Sequence, residues 1–284
     1  EAGEAQLVNI TSEDAESFMP MYHLGYGELR YYEALQAQSE GRTNDAARLF
    51  GDAEDRFRTA ISLDGRIVPA YVQLARALVA QEEYDDAIAT LNIPIEGELS
   101  SEYFEDISLR VERGRVYYAE GIYDRALQEA NEALFFEPWS EEAYILQAES
   151  ALALNRPGLA NNYLDGYQLA YPDSLLAFKL EGDAYLLEGK ADQALLAYNI
   201  ALQDNEDKPD YLIVLEARAD LYFNQRRYEL AQESYTQYLD ERNLDEIRVK
   251  RMWAAYNAGD YTVALRDARS LEDSPAVSNG DVAL

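Results

Sequence analysis

Acid–base catalysis needs two titratable groups converging on one substrate atom, and the candidates here are the adjacent carboxylates Glu82-Glu83, Asp85-Asp86 and Glu141-Glu142. Neighbouring residues on a helix point in different directions, so none of these pairs shares a face, and they read as solvated surface. His23 is the only histidine and there is no cysteine. That excludes an imidazole relay, a thiolate nucleophile, a disulfide and zinc sites of the cysteine type. The acidic cluster Asp204-Asn205-Glu206-Asp207 lacks the alternating ligands and final glutamate of a calcium loop and reads as a solvated insertion. No glycine-rich phosphate loop, nucleophile elbow or metalloprotease signature is present. The chain is therefore expected to be no enzyme and to carry no cofactor and no metal.

Composition then narrows the partners. The chain carries 54 acidic against 24 basic residues, a formal charge of -30 that repels nucleic-acid phosphates and anionic membranes. A protein or peptide partner fits better, and no nucleic acid is expected; the same acidity also serves solubility or a high-salt habitat. No run approaches the roughly 20 apolar residues of a membrane span, so no membrane insertion is expected within this chain. The chain opens at Glu1 with neither a methionine nor a charged-then-apolar signal. We lean to an extracytoplasmic or membrane-tethered bacterial setting, with a cytoplasmic one as the alternative.

The elements that must position any site show up as a repeat. From Arg110 to Pro138, Gly114 and Tyr117 sit in a first helix, Glu120-Gly121 break it, Tyr123 and Ala126 open a second, Ala133 continues it, and Pro138 ends the unit. The same frame places Ala75, Gly114, Ala148, Gly182 and Ala219 as a small first-helix residue. Twelve residues after each stands an alanine: Ala87, Ala126, Ala160, Ala194 and Ala231. Successive small residues are 39, 34, 34 and 37 apart, with insertions at Ile95 to Ser101, where Pro94 and Gly97 interrupt the helix pattern, and at Asn205 to Asp210. A further copy has Met252 in the small position, then Tyr256, Gly259-Asp260, Tyr261 and Ala264. Leu24 to Ser39 and Thr43 to Leu63 read as two longer helices broken at Glu40-Gly41.

These offsets resemble the tetratricopeptide repeat, over roughly residues 17 to 273. The resemblance implies an all-α fold, a right-handed α-solenoid of antiparallel helix hairpins, in which small residues let paired helices approach and aromatics fill the gap to the next hairpin. On that frame residues 1–16 are a flexible acidic segment, 17–67 a divergent hairpin or capping repeat, 68–273 an array of about six repeats, and 274–284 a flexible tail. Most of the 23 tyrosines, including Tyr117, Tyr144, Tyr185, Tyr198, Tyr222 and Tyr235, are then packing residues. Trp139, directly after Pro138, is expected to pack on the following hairpin.

In this family the first helices line a groove that commonly receives a peptide or partner helix. The resemblance thus implies a protein-interaction scaffold or adaptor, or alternatively a self-assembling subunit and possible homo-oligomer. Counting three before, one after, four after and five after each small residue gives the groove. Arg76, Val79, Arg115 and Tyr118 face it, then Glu149, Lys179 and Asp183, then Asp220, Phe223, Asn224, Trp253 and Tyr256, with Val72, Val111, Ile145, Leu152, Leu186, Glu216, Val249 and Asn257 completing the register. Arg76 and Arg115 leave one end basic, and the acids Glu149, Asp183, Glu216 and Asp220 follow. The two arginines would capture a carboxylate of a partner, or else neutralise carboxylates of their own chain. Trp253 and Tyr256 would be aromatic anchors, or Trp253 part of the core. A family subset grips acidic chaperone tails through a lysine and asparagine clamp. Here Val72, Arg76, Val111 and Arg115 hold those places, so that ligand is not expected.

Overall fold

The structure, a computed structural model, describes residues 12–97, 106–208 and 210–272. Among them are fourteen α-helices and no strand: α1 Ser12–Ser39, α2 Thr43–Leu63, α3 Val68–Ala80, α4 Tyr84–Glu96, α5 Ile107–Glu120, α6 Tyr123–Phe136, α7 Glu141–Ala153, α8 Pro157–Ala170, α9 Leu175–Leu187, α10 Ala191–Leu202, α11 Tyr211–Asn224, α12 Tyr228–Glu241, α13 Asp245–Ala258 and α14 Tyr261–Ser270. The fold is an all-α helical-repeat solenoid. Contacts divide it into two compact units, Glu1–Leu146 and Gln147–Leu284, with the division inside α7.

Each unit is built from sequential hairpins. In the first, α1 packs on α2, α3 on α4 and α5 on α6, and α1, α3 and α5 adjoin in turn. In the second, α9 packs on α10, α11 on α12 and α13 on α14, with α9 beside α11. The second-helix alanines explain how the pairs close up: Ala87, Ala126, Ala160, Ala194, Ala231 and Ala264 are each at most 1% exposed. Where the small first-helix residue is glycine, the reason is visible. A Cβ on Gly182 would stand 2.2 Å from the Tyr198 ring, and one on Gly114 2.5 Å from Leu146.

The turn within each hairpin follows a rule of its own. Gly41, Glu82, Gly121, Asn155, Gly189, Arg226 and Gly259 all have positive φ and, from Glu82 on, each lies seven residues after the small position. The left-handed residue ends the first helix by turning its carbonyls toward the next backbone amides. Side chains crowd that conformation, at about 1–2 kcal/mol for an ordinary residue. Glu82→Gly and Arg226→Gly are accordingly expected to raise unfolding stability by about 0.5–1 kcal/mol each. A lowered denaturation midpoint in both variants would refute the rule.

Two boundaries differ from the sequence expectation. Helix α1 starts at Ser12, so residues 12–16 of the expected flexible segment are helical, while residues 1–11 and 273–284 lie outside the described residues. Helix α4 runs through Pro94 to Glu96, and the chain turns extended only at Gly97. A proline in the last turn forfeits a single ladder bond, which the buried flank of Thr90, Leu91 and Ile95 tolerates. Trp139, on the turn before α7, is 66% exposed.

Candidate functional site

In the first unit, the groove positions of α3 and α5 meet. Arg76, Val79 and Arg115 line a cavity of about 210 Å³ with Tyr31, Ala80, Glu112 and Val116. Arg76 and Arg115 extend into a neighbouring space of about 370 Å³ bounded by Val72, Val111, Ser108 and Glu142 among others. Tyr118 lies outside both and packs at 5.2 Å on the Tyr123 ring. The two arginines are not equivalent. Nε and Nη2 of Arg76 both donate to Oε2 of Glu112, at 3.0 and 2.8 Å, and Glu112 is buried. This hydrogen bonding, working against burial, holds the Arg76 guanidinium above its ordinary pKa. Arg115 is exposed and makes no hydrogen bond or ion pair among the described residues.

In the second unit the acids of α9 and α11 are spent on their own chain. Asp183 accepts from Lys179 Nζ at 2.7 Å and from the Tyr198 hydroxyl at 2.6 Å. Asp220 accepts from the Tyr235 hydroxyl at 2.5 Å and from Lys250 Nζ at 2.8 Å, and Lys250 also donates to Glu216 at 2.6 Å. Burial first, then the facing aspartate, pushes the Tyr198 and Tyr235 hydroxyls far up, so both remain donors at any physiological pH. Burial opposes the Lys250 charge, but Asp220 and Glu216 outweigh it and hold its pKa above the usual lysine value.

Between α11 and α13 opens a cavity of about 340 Å³ lined by Asp220, Phe223, Asn224, Tyr235, Val249, Lys250 and Trp253. Its charged members are paired with each other, so what it offers a visitor is the apolar wall of Phe223, Val249 and Trp253. Trp253 is half-buried against the core of the last hairpin and sits edge-on to Tyr256 at 5.9 Å. Tyr256, 42% exposed, lies one turn along, edge-on to Tyr261 as well, outside the cavity. Lys179 and Asp183 are on α9 and do not line it. Glu149, on α7, is half-buried and engaged within the chain.

The sequence frame missed Glu112 and Lys250, yet both stand two residues before their small position, Gly114 and Met252. Arg76 and Asp220 stand one after theirs. In these two places a charge one after the small residue meets an opposite charge two before the next, with the signs reversed between the two units. Tyr198 and Tyr235 were likewise foreseen only as packing; each stands fifteen residues after its aspartate. Among the described residues no group of three or more His, Asp or Glu side chains is placed to hold a metal ion. No helix among them is long and apolar enough to cross a membrane.

The tetratricopeptide-repeat family model matches residues 145–211. Solved structures share the fold over more of the chain. A tetratricopeptide repeat protein from Parabacteroides merdae superposes with a TM-score of 0.60 at 17% identity, covering 90% of this chain and 95% of that one. PilW, a type IV pilus biogenesis factor, gives 0.59 at 17% identity over 76% and 97%. PilF of Pseudomonas aeruginosa gives 0.54 at 18% over 79% and 95%. No curated protein sequence matches the chain. The matched segment and the shared fold make this chain similar to tetratricopeptide-repeat proteins, an all-α helical-repeat solenoid like theirs. Proteins of that class generally mediate protein–protein interactions and are generally non-catalytic.

Proposed function

We propose that the chain is a non-catalytic scaffold that holds a segment of a partner protein against its first helices, seating an apolar side chain in the cavity between α11 and α13. The supporting observation is that cavity: an apolar wall of Phe223, Val249 and Trp253 beside ions that already satisfy one another. A charged visitor would have to displace Lys250 or Tyr235 from Asp220, whereas an aromatic or branched aliphatic one has only water to displace. In the first unit Arg115 offers the complementary contact, an unpaired guanidinium for a partner carboxylate. An extracytoplasmic setting belongs to the same proposal, since one of the fold relatives is a type IV pilus biogenesis factor; fractionation of the native cell checks it.

A displayed random-peptide library is expected to yield binders carrying an aromatic or branched apolar anchor. The folded variant Trp253→Glu is expected to bind them at least about tenfold more weakly, the usual scale for losing a buried aromatic anchor. Phe135→Glu, a surface control at a residue 80% exposed, is expected to bind unchanged. Equal binding by Trp253→Glu would remove the cavity from the reading.

A further inference from the structure

In a chain where 54 of 284 residues are acidic, Phe18 to Gly27 contains no Asp, Glu, Lys or Arg. This stretch of α1 is not charge-free because it is buried. Phe18 is 68% exposed, Met21 56% and Tyr22 59%, and the same face continues through Leu29 at 50% and Tyr32 at 66%. The spacing of three, four and seven residues sets these side chains in one stripe along the helix. The stripe lies opposite the face that packs inward through Leu24, Gly27, Tyr31 and Ala34. An apolar stripe of that extent on an otherwise strongly acidic molecule marks a surface that something covers.

Gly25 lies at its centre. Its near neighbour Gly27 has an internal reason to be glycine, since a Cβ there would stand 2.6 Å from the Phe57 ring. A Cβ on Gly25 would meet nothing within 4 Å, and the residue is exposed. Glycine inside a helix weakens it relative to alanine, and no contact within the chain asks for it here. Four of its five side chains are also symmetric about this point, Tyr22 alone standing opposite a charged position, Glu28. Phe18 and Tyr32 lie seven residues on either side of Gly25, and Met21 and Leu29 lie four on either side.

We infer that the outer face of α1 is an interface with a second copy of this chain, the two helices crossing antiparallel about a two-fold axis at Gly25. In that arrangement Phe18 of each copy meets Tyr32 of the other, Met21 meets Leu29, and the two glycines let the backbones approach. A two-fold contact requires this self-complementarity, in which each pairing occurs twice. The five side chains expose roughly 500–600 Å² per copy, which with flanking polar atoms reaches the ~800 Å² per partner of a standard interface. The charge that would drive two copies apart is carried elsewhere on the molecule and is screened at physiological salt, so association is expected to strengthen as salt rises.

The absence of cysteine makes the test direct. Gly25→Cys introduces a single thiol on the axis, where the two sulfurs fall within the reach of a disulfide. Under mild oxidation at about 150 mM salt, this variant is expected to form a covalent dimer of twice 32.2 kDa. Leu169→Cys, at a residue 86% exposed and away from α1, is expected to form no covalent dimer. By sedimentation equilibrium the unmodified chain should approach the dimer mass with rising concentration, and Met21→Glu/Leu29→Glu should hold the monomer mass. A constant monomer mass for the unmodified chain would overturn the inference and leave the stripe to a different protein. Equal crosslinking of both cysteine variants would reduce the contact to random collision, and self-association without crosslinking at residue 25 would place the interface elsewhere.

Discussion

Arg113→Met is expected to lose about 3–5 kcal/mol of unfolding stability at pH 7, the scale of leaving a buried charge without its partner. Arg113 lies in the first unit with its side chain 7% exposed, between α4 and α6. Its Nη2 meets Glu129 at 2.7 Å, and its Nη1 donates to Asn92 at 2.7 Å and to Glu96. Glu129 is buried as well, and its other charged neighbour, Arg110, stands 4.0 Å away and is committed to Glu132 at 2.7 Å. Removing Arg113 therefore leaves a carboxylate in the hairpin interface with little to offset its lost hydration.

The pH dependence of that variant distinguishes a lost charge partner from a lost side-chain volume. Burial already holds the Glu129 carboxyl above its ordinary value of 4.5, against the opposing pull of Arg113 and Arg110. Without Arg113 it should rise further. A carboxyl raised in the folded state takes up its proton there before the unfolded chain does. The folded variant should thus regain stability as pH falls from 7 through the raised value toward 4.5, and lose it again as pH climbs. Chemical denaturation of Arg113→Met between pH 8 and 5 is expected to show the deficit shrinking with acid. The double variant Arg113→Met/Glu129→Gln should recover much of the loss at neutral pH, because no bare charge remains. A deficit that neither shrinks with acid nor yields to the second substitution would mean the loss is one of packing alone.

The second large effect belongs to the last hairpin. Nε and Nη2 of Arg251 reach the two oxygens of Asp267 at 2.8 and 2.7 Å, a two-pronged pair joining α13 to α14, and Asp267 is 2% exposed. Arg251→Met is expected to cost about 3–5 kcal/mol locally, since Asp267 would be stranded where water does not reach. Among the described residues helix α14 has a hairpin neighbour on one side only, Met252, Ala255, Ala264, Ala268 and Leu271 forming its core. The loss should therefore appear as early exchange of the α14 amides while α9 to α12 keep their protection, as expected where each repeat leans only on its neighbours. Lys250→Met, next in sequence but with a half-exposed side chain, should cost no more than about 1 kcal/mol. Uniform loss of protection across the second unit in Arg251→Met would refute the local picture.

These contrasts show where legibility in the sequence stops. The small residue at Ala75, Gly114, Ala148, Gly182 and Ala219 and the alanine twelve later were readable, because each is set by spacing along one hairpin, whereas the left-handed turn residue seven later came from the structure. The same count brought Arg76, Val79 and Arg115 to one cavity wall and Asp220, Phe223, Asn224 and Trp253 to another. The structure leaves Glu149, Lys179, Asp183, Tyr118 and Tyr256, which the count had also put in the groove, outside both cavities. The frame read a polarised face and left open whether its arginines pair within the chain; the structure has Arg76 held by Glu112, Asp183 by Lys179 and Tyr198, and Asp220 by Lys250 and Tyr235. Two of those partners lie 36 and 30 residues away, in the next hairpin, so which charge is free depends on side-chain reach across a packed interface.

The sequence by itself determined the architecture: an α-helical repeat, its hairpins, its core alanines and the register of its first helices. It could do so because helix periodicity and helix–helix approach are local and recur at fixed offsets. Only the tertiary structure decided which charges remain for a partner, that Arg113 and Glu129 are buried together, and that Phe18, Met21, Tyr22, Leu29 and Tyr32 are left on the outside of α1. Burial and ion pairing are properties of what stands opposite a side chain, and that is fixed by packing between elements.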